Sequence, residues 1–156
     1  MDQNKKDENL AKAKEAIYRL LKFRLRSEKE IRDKLRAKGF ADHIIEHSIE
    51  YFKNLELMDD RTFAREWITS RLARPFGKNR ILYELKEKGI DPEILREELD
   101  CATRQYSESD IATALALRQS LKYKNIDRPK MKQRVYSYLL RRGFSSDTIY
   151  QALKTL

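Results

Sequence analysis

Lys38-Gly39-Phe40, Lys88-Gly89-Ile90 and Arg142-Gly143-Phe144 repeat one pattern, in which a basic residue and a glycine precede a large apolar residue. Gly39 and Gly89 are 50 residues apart, and Gly89 and Gly143 are 54 apart. A helix often ends at a glycine with positive φ, and in the Schellman form of this ending the next residue packs against the side chain four positions before the glycine. Those positions hold Leu35, Leu85 and Leu139. Three matching helix ends at this interval predict a tandem helical repeat.

The residues around the three glycines share an apolar pattern when the units are aligned on them. Apolar side chains recur eight and four residues before each glycine and six and ten residues after it, which places them on one helical face. Positions 22 and 26 residues before the glycine are also predicted to be buried, and they hold Ile17, Trp67 and Leu121, and Ala13, Phe63 and Leu117. Each unit therefore reads as three helices. We predict helices at residues 10–24, 28–38, 42–55, 60–73, 78–88, 92–105, 109–123, 129–142 and 146–155.

The composition favours an all-α protein, because four glycines and three prolines are few for a β protein with many turns. Helix starts are marked by Ser27 with Glu30, a capping box, and by Asp91 before Pro92. We predict three tandem three-helix repeats at residues 10–58, 59–108 and 109–156. Each is too small to bury much core alone, so we expect neighbours to share a buried seam in an elongated, curved solenoid.

The sequence also indicates where the protein works. It has no run of 18 apolar residues, so no membrane span is expected. Residues 1–9 are polar and lack the apolar region of a signal peptide, and we predict a disordered tail there. The lone Cys101 fits a reducing compartment, which predicts a cytoplasmic protein.

Positive charge is concentrated near the C-terminus. The net charge of the chain is +9, and residues 109–156 carry 10 basic and 3 acidic groups. Such an asymmetry favours a polyanionic partner over a neutral one. A solvated basic surface without a partner is the alternative interpretation.

A candidate metal site lies in the stretch His43-Ile44-Ile45-Glu46-His47, which matches the H-x-x-E-H pattern of inverted zinc proteases. Such a site needs a third ligand and a cleft that excludes water, and the chain has no other histidine. The stretch also falls on the outer face of an ordinary repeat helix. We therefore predict neither metal, cofactor nor catalytic residues.

The basic residues are the stronger functional signal. An arginine lies fifteen residues before each glycine, at the connection between the first and second helices, and such a row could follow a phosphate backbone. The basic residue directly before each glycine has a structural explanation, because cations stabilise helix C-termini. The candidate contacts for nucleic acid or a filament are Arg24, Arg71, Arg74, Arg80, Arg128, Lys130 and Arg134.

Two other groups of side chains bear on the same question. Tyr123, Tyr136 and Tyr138 lie among the cations of the third unit and could stack on bases, although packing within the repeat is the favoured explanation. The third helices instead carry acidic residues, which argues against a regulator that places these helices in the major groove. Those residues are Asp42, Glu46 and Glu50 in the first unit, and Glu93, Glu97, Glu98 and Asp100 in the second.

With these features in place, the chain resembles the RecX family, bacterial regulators of the RecA recombinase. One stretch that carries the resemblance is Arg24-Leu25-Arg26-Ser27-Glu28-Lys29-Glu30-Ile31, which continues through Leu35 to Lys38-Gly39-Phe40. Another is Leu57-Met58-Asp59-Asp60, followed by Phe63-Ala64. The rest are Gly77, Arg80-Ile81, Glu84-Leu85 and Lys88-Gly89-Ile90, with Arg141-Arg142-Gly143-Phe144 in the third unit.

The resemblance implies a non-enzymatic protein that acts on RecA filaments in DNA recombination, DNA repair and the SOS response. It implies contact with both RecA and DNA, without sequence specificity, and suppression of recombinase, ATPase and coprotease activity. We expect a cytoplasmic monomer with no membrane partner. The alternative is a stand-alone helical-repeat protein that binds nucleic acid without a recombinase.

Overall fold

The computed structural model describes residues 3–156, and within them the chain is all α-helical, as the sequence predicts. The helices of the first repeat are α1 (Gln3–Phe23), α2 (Glu28–Ala37) and α3 (Asp42–Asn54). Those of the second are α4 (Asp60–Leu72), α5 (Lys78–Glu87) and α6 (Pro92–Ala102). The third repeat contains α7 (Glu108–Ser120), a 3-10 turn (Leu121–Tyr123), α8 (Arg128–Arg141) and α9 (Ser146–Leu153).

The second helix of each repeat ends in the predicted Schellman motif. Gly39, Gly89 and Gly143 have φ angles of +84°, +73° and +89°. The amide of the residue after each glycine donates to the leucine carbonyl five positions earlier, at 3.1–3.2 Å. Because a side chain is disfavoured at these φ values, the glycines fix where each second helix stops.

The helix starts are capped by the residues that the sequence indicates. The Ser27 hydroxyl accepts from the Glu30 amide at 3.2 Å, and the Glu30 carboxylate accepts from the Ser27 amide at 3.2 Å. Asp91 caps α6 through the Glu93 amide at 2.8 Å, with Pro92 at the first helical position. These local bonds set the direction in which each helix leaves its loop.

The first helix is longer than the sequence indicates. We expect a disordered tail at residues 1–9, but α1 begins at Gln3, so the prediction is wrong for residues 3–9; residues 1 and 2 lie outside the described part of the chain. Lys12 and Glu8 form an ion pair one turn apart on this segment. Such pairs stabilise a polar helix without any core contact, which explains why apolar periodicity does not reveal it.

Each repeat has its own apolar core, and this corrects the expectation of a shared seam. The three clusters are separate, and each is built from one repeat. The positions eight and four before the glycine are fully buried in all three units. They are Ile31 and Leu35, Ile81 and Leu85, and Val135 and Leu139.

Two predicted core residues of the third repeat are exposed instead. Leu117 is 46% exposed and Leu121 is 62% exposed, whereas Leu115 and Ala116 are buried. The register differs because the third repeat is longer between its first helix and its glycine: α8 has 14 residues where α5 has 10. An alignment on the glycine therefore shifts the first helix of this repeat.

The repeats meet end to end through their second helices. We call these contacts joint 1–2, between the start of α2 and the end of α5, and joint 2–3, between the start of α5 and the end of α8. In joint 1–2 the Ser27 hydroxyl donates to the Lys88 carbonyl at 2.7 Å. In joint 2–3 the Gly77 amide donates to the Arg142 carbonyl at 2.8 Å, and the Asn79 amide to the Gly143 carbonyl at 3.1 Å. Each joint therefore places the positive end of one helix dipole against the negative end of the next.

A carboxylate from the next repeat completes each joint. Asp60, the first residue of α4, accepts from the Glu28 amide at 2.8 Å, and Glu108, the first residue of α7, accepts from the Lys78 amide at 2.9 Å. The result is an extended molecule, because its accessible surface of 10210 Å² exceeds the value of about 8,300 Å² for a compact protein of this mass. None of the helices within residues 3–156 has the length and apolarity needed to cross a membrane.

Candidate nucleic-acid interface

A continuous chain of cationic, aromatic and acidic side chains follows the second helices across both joints. We call it the cation–aromatic ridge. Its members are Arg24, Glu30, Trp67, Arg71, Phe76, Arg80, Glu84, Lys88, Tyr138 and Arg142. The ridge draws side chains from all three repeats, because each joint brings the start of one second helix against the end of the next.

The ridge begins at joint 1–2 with the carboxylate of Glu30. Arg24 donates to it at 2.8 Å from the same repeat, and Lys88 donates at 2.8 Å from the second. Burial would raise the pKa of Glu30, but the hydrogen bonds from Arg24, Lys88 and the Ser27 amide outweigh it and lower the pKa to about 2. Glu30 therefore stays ionised and ties the two repeats together.

In the second repeat the ridge is organised by Glu84. Its carboxylate accepts from the Trp67 indole at 2.9 Å, from Arg71 at 2.5 Å and from Arg80 at 2.9 Å. Burial opposes ionisation, yet these three donors lower the pKa of Glu84. The Lys88 ammonium lies 4.7 Å from the Trp67 ring, which connects Glu84 to the Glu30 end of the ridge.

At joint 2–3 the ridge becomes more positive, because three guanidinium groups surround Phe76. The guanidinium carbons lie 4.1 Å from the ring centroid for Arg80, 5.2 Å for Arg142 and 6.0 Å for Arg71. Arg142 also lies 5.2 Å from the Tyr138 ring. Such stacking orients a guanidinium while leaving its N–H groups free to donate to an anion.

Arg142 is not among the contacts predicted from the sequence. Its signal was present in the repeated pattern, where Lys38, Lys88 and Arg142 each precede a glycine, but helix-end stabilisation offered a sufficient explanation. The structure places Lys88 and Arg142 at the joints, against the preceding repeat. Neighbouring repeats, rather than the helix end alone, decide what these two residues contact.

The seven predicted contacts fall into two groups and one isolated residue. Arg24, Arg71 and Arg80 lie in the ridge, each bound to one of its carboxylates. Arg74 is exposed, and no ion pair or side-chain hydrogen bond of it is found within residues 3–156. The other three lie on α8: Arg128 donates to the Leu156 carbonyl, Lys130 is near Asp127, and Arg134 lies over Tyr123.

The three arginines that the sequence aligned fifteen residues before each glycine are not equivalent in space. Arg24 and Arg74 lie in loops before the second helix, whereas Arg128 is the first residue of the longer α8. Arg24 also donates hydrogen bonds to both carboxylate oxygens of Glu30, the residue that completes the capping box. The three arginines therefore do not occupy equivalent positions, and of the three only Arg24 belongs to the cation–aromatic ridge.

Four of the seven acidic residues predicted on the third helices form ion pairs within residues 3–156, namely Asp42, Glu46, Glu97 and Glu98. Arg32 binds Glu46 at 2.6 Å, and Arg36 binds Asp42 at 3.0 Å. Glu98 is buried between Arg61 and Arg65, at 3.0 and 2.9 Å. These acidic residues are therefore engaged in internal ion pairs and are not free surface charges.

The H-x-x-E-H stretch lies on the surface of α3. His43 and His47 are exposed, and Arg32 holds both carboxylate oxygens of Glu46. A carboxylate in this pairing is not free to act as a general base. The stretch is an ordinary part of a repeat helix, in agreement with the interpretation favoured from the sequence.

Tyrosine side chains of the third repeat pack mainly against its apolar core. Tyr123, Tyr136 and Tyr138 lie against the apolar core of that repeat. The Tyr123 hydroxyl accepts from the Gln119 amide group at 3.1 Å, and Tyr136 packs on Tyr150 with ring centroids 5.4 Å apart. This confirms the packing interpretation, while their ring faces still support the neighbouring cations Arg134 and Arg142.

Comparison with known proteins agrees with the architecture and identifies the family. The models of the first, second and third RecX three-helix domains match residues 13–52, 59–99 and 106–153. The chain is 34% identical to the regulatory protein RecX of Clostridium perfringens strain SM101, over 97% of this chain and 71% of that protein. It is 34% identical to the regulatory protein RecX of Prosthecochloris aestuarii, over 96% of this chain and 97% of that one.

A solved structure shows the same fold. The crystal structure of RecX from Lactobacillus salivarius matches with a TM-score of 0.82 and 24% identity, covering 96% of this chain and 97% of that one. The domain matches follow one another in the order of the three repeats described above. The chain therefore belongs to the RecX family, whose curated members are named regulatory proteins.

Proposed function

We propose that the protein binds the nucleoprotein filament that RecA forms on DNA and modulates, mainly inhibits, its recombinase, ATPase and coprotease activities. It acts in this role as a cytoplasmic monomer without a cofactor or a chemical reaction of its own. The tasks served are DNA recombination, DNA repair and the SOS response. Membership of a family of regulators supports the proposal.

The observation that carries the proposal is the continuity of the cation–aromatic ridge across both joints. A small ligand needs an enclosed pocket with a few convergent groups. The ridge is instead an open line of cations drawn from three repeats, which suits a polymer with regularly spaced phosphates. Its cations would contact phosphates and its rings would contact base faces, and neither kind of contact distinguishes one base from another. Binding would therefore be independent of the nucleotide sequence.

A stand-alone nucleic-acid-binding protein is the second candidate, because the same ridge would serve it. The two functions differ in what they do to a recombinase. We expect this protein, at levels well below those of RecA, to suppress the DNA-dependent ATPase of the cognate recombinase. Strong binding to naked DNA without an effect on the ATPase would favour the second candidate instead.

The residue to test first is Arg74, which is not a member of the ridge but lies in the same loop as the ridge residue Phe76. Because no partner of it is found in the described chain, Arg74→Glu reverses a charge without breaking an internal contact. Arg71→Glu and Arg80→Glu are poor tests, since each would place a second carboxylate beside Glu84. Arg96→Glu is the matched control, because Arg96 is an exposed arginine of the same repeat that lies on α6 between Glu93 and Glu97.

We expect Arg74→Glu to weaken suppression of the ATPase and filament binding, and Arg96→Glu to leave both close to wild type. Binding should also weaken steeply as salt is raised, because neutralised phosphates release counterions. Undiminished suppression by a folded Arg74→Glu variant would mean that the loop between α4 and α5 does not face the filament.

A further inference from the structure

Glu30 and Glu84 are bound in the same way at two places along the cation–aromatic ridge. Each carboxylate accepts hydrogen bonds from two cationic side chains and one neutral N–H group. The donors to Glu30 are Arg24, Lys88 and the Ser27 amide. The donors to Glu84 are Arg71, Arg80 and the Trp67 indole. Two carboxylates thus lie directly among the cations of the ridge.

Arginine and lysine donors of this kind bind phosphate as readily as carboxylate. The guanidinium fork fits both anions, and such charge-assisted bonds are the stronger ones in proteins. An internal carboxylate that already holds these donors must be displaced, or must share them, before a phosphate can use them.

We propose that Glu30 and Glu84 occupy phosphate-binding positions of the cation–aromatic ridge and compete there with the phosphates of nucleic acid. The two carboxylates lower the affinity of the protein for nucleic acid and so act as built-in limits on non-specific binding. This inference rests on the proposed function, because it concerns the same surface and the same class of ligand.

The geometry allows this exchange. The side chains of Glu30 and Glu84 are 16% and 17% exposed, while those of Arg24 and Arg80 are 43% and 39% exposed. A ligand on the surface can therefore reach the cations without opening the core.

The repeat pattern gives the ridge a direction. The residue nine positions before the capping glycine is Glu30 in the first repeat, Arg80 in the second and Arg134 in the third. The internal carboxylate at this position is thus replaced by a cation toward the C-terminus. Phosphates then bind first at Arg142 in joint 2–3, which is in no ion pair within residues 3–156, and use Arg80 and Arg24 only after displacing Glu84 and Glu30.

Glu84→Gln tests the competition directly. Glutamine keeps an acceptor for the Trp67 indole but no longer neutralises Arg71 and Arg80. Glu87→Gln is the matched control, because Glu87 is exposed on the same helix and lines the same cleft as Glu84. It therefore gives the same change in net charge at the same surface without releasing a ridge arginine. The probe is a fluorescein-labelled oligothymidylate, titrated by anisotropy over a series of NaCl concentrations, with circular dichroism to check folding.

Glu84→Gln should bind the oligothymidylate more tightly than Glu87→Gln by on the order of tenfold. Its salt dependence should be steeper by about 0.7 in the log–log slope for each cation that takes up a phosphate. Equal affinities and slopes for the two variants would overturn the inference while leaving the proposed function intact. Absence of binding to oligothymidylate and to RecA filaments by the wild type and both variants would overturn both.

A second variant keeps the test decisive if Glu84→Gln fails to fold. Glu30→Gln releases Arg24 and Lys88, which belong to a different cluster of contacts at joint 1–2. It should tighten binding and steepen the salt dependence in the same direction. A folded Glu30→Gln variant that binds no better than Glu87→Gln would count against the inference.

Discussion

Gly77 lies directly against Gly143, so closely that a Cβ atom on Gly77 would be 2.2 Å from the Gly143 carbonyl oxygen. The φ angle of Gly77 is −77°, which any residue adopts, so the backbone conformation does not require glycine there. The requirement comes from joint 2–3, where the Gly77 amide must reach the Arg142 carbonyl. Two glycines from different repeats therefore allow the backbones to touch.

Because of this contact, the same substitution to alanine should reduce stability by different amounts at Gly39 and Gly143. A Cβ on Gly143 would lie 2.3 Å from the Arg80 Cβ, whereas a Cβ on Gly39 would have no atom within 4 Å. Gly39→Ala should cost about 1–2 kcal/mol for the positive φ alone. Gly143→Ala should lose about 1–3 kcal/mol more through overpacking at the joint. Urea unfolding of the two variants measures the difference, and equal losses would show that joint 2–3 has room to relax.

Leu85 allows a prediction of how much stability is lost when one repeat loses a core side chain. Its side chain is fully buried, and its carbonyl accepts from the Ile90 amide at the helix end. Leu85→Ala should lower the free energy of unfolding by about 2–5 kcal/mol. Leu140→Ala is the control, because Leu140 is 49% exposed and should change stability by less than about 0.5 kcal/mol. Chemical denaturation of both variants would reveal a misplaced core if their losses were similar.

Asp60 predicts a stability change with pH at joint 1–2. Burial raises its pKa from 3.8 to about 6, and the hydrogen bond from the Glu28 amide offsets this only in part. Because the folded protein binds this proton more tightly than the unfolded chain, stability from Asp60 rises as pH falls from about 7 to about 4. The wild type should therefore gain stability relative to Asp60→Asn across that window, as measured by urea unfolding at each pH.

Asp59→Asn provides a neighbouring control of opposite sign. The hydrogen bond from the Thr62 side chain and other local donors lower the pKa of Asp59, despite some burial. The wild type should lose stability relative to this variant as pH falls through the lowered pKa. A stability difference between wild type and Asp60→Asn that does not change with pH would contradict the assigned role of Asp60.

Glu30 predicts the opposite trend to Asp60 at lower pH. Burial opposes its ionisation, but Arg24, Lys88 and the Ser27 amide lower its pKa from 4.5 to about 2. Its contribution is therefore complete above about pH 5 and is lost as pH falls from 4.5 to about 2. Glu30→Gln should be less stable at neutral pH by on the order of 1–3 kcal/mol. Thermal unfolding should show this gap closing in acid; a gap that persists at pH 2 would point to packing instead of charge.

Much of the fold could be predicted because its determinants are local. The Schellman ends at Gly39 and Gly89 and the capping box at Ser27 each depend on residues within one turn of the helix end. The core positions Leu35 and Leu85 follow from the same fixed offset. The offset wrongly predicted that Leu121 is buried. The third repeat has extra residues between its first helix and its glycine, and the spacing alone does not show where they lie.

The candidate site was only partly predictable. Composition indicated the basic loop around Arg71, Arg74 and Arg80, but not that Glu84 holds two of these arginines. The importance of Arg142 depends on Phe76, a residue of another repeat. Contacts of this kind leave no periodic pattern in the sequence, because they form only where two repeats meet.

By itself, the sequence determined the three repeats, their helix ends and most of their cores, since positive φ at glycine and apolar periodicity act over a few residues. Only the tertiary structure decided that the second helices meet end to end, with Ser27 against Lys88 and Gly77 against Gly143. The physical reason is distance along the chain. Ser27 and Lys88 are more than 60 positions apart, and they contact each other only in the orientation that joint 1–2 gives the second repeat relative to the first.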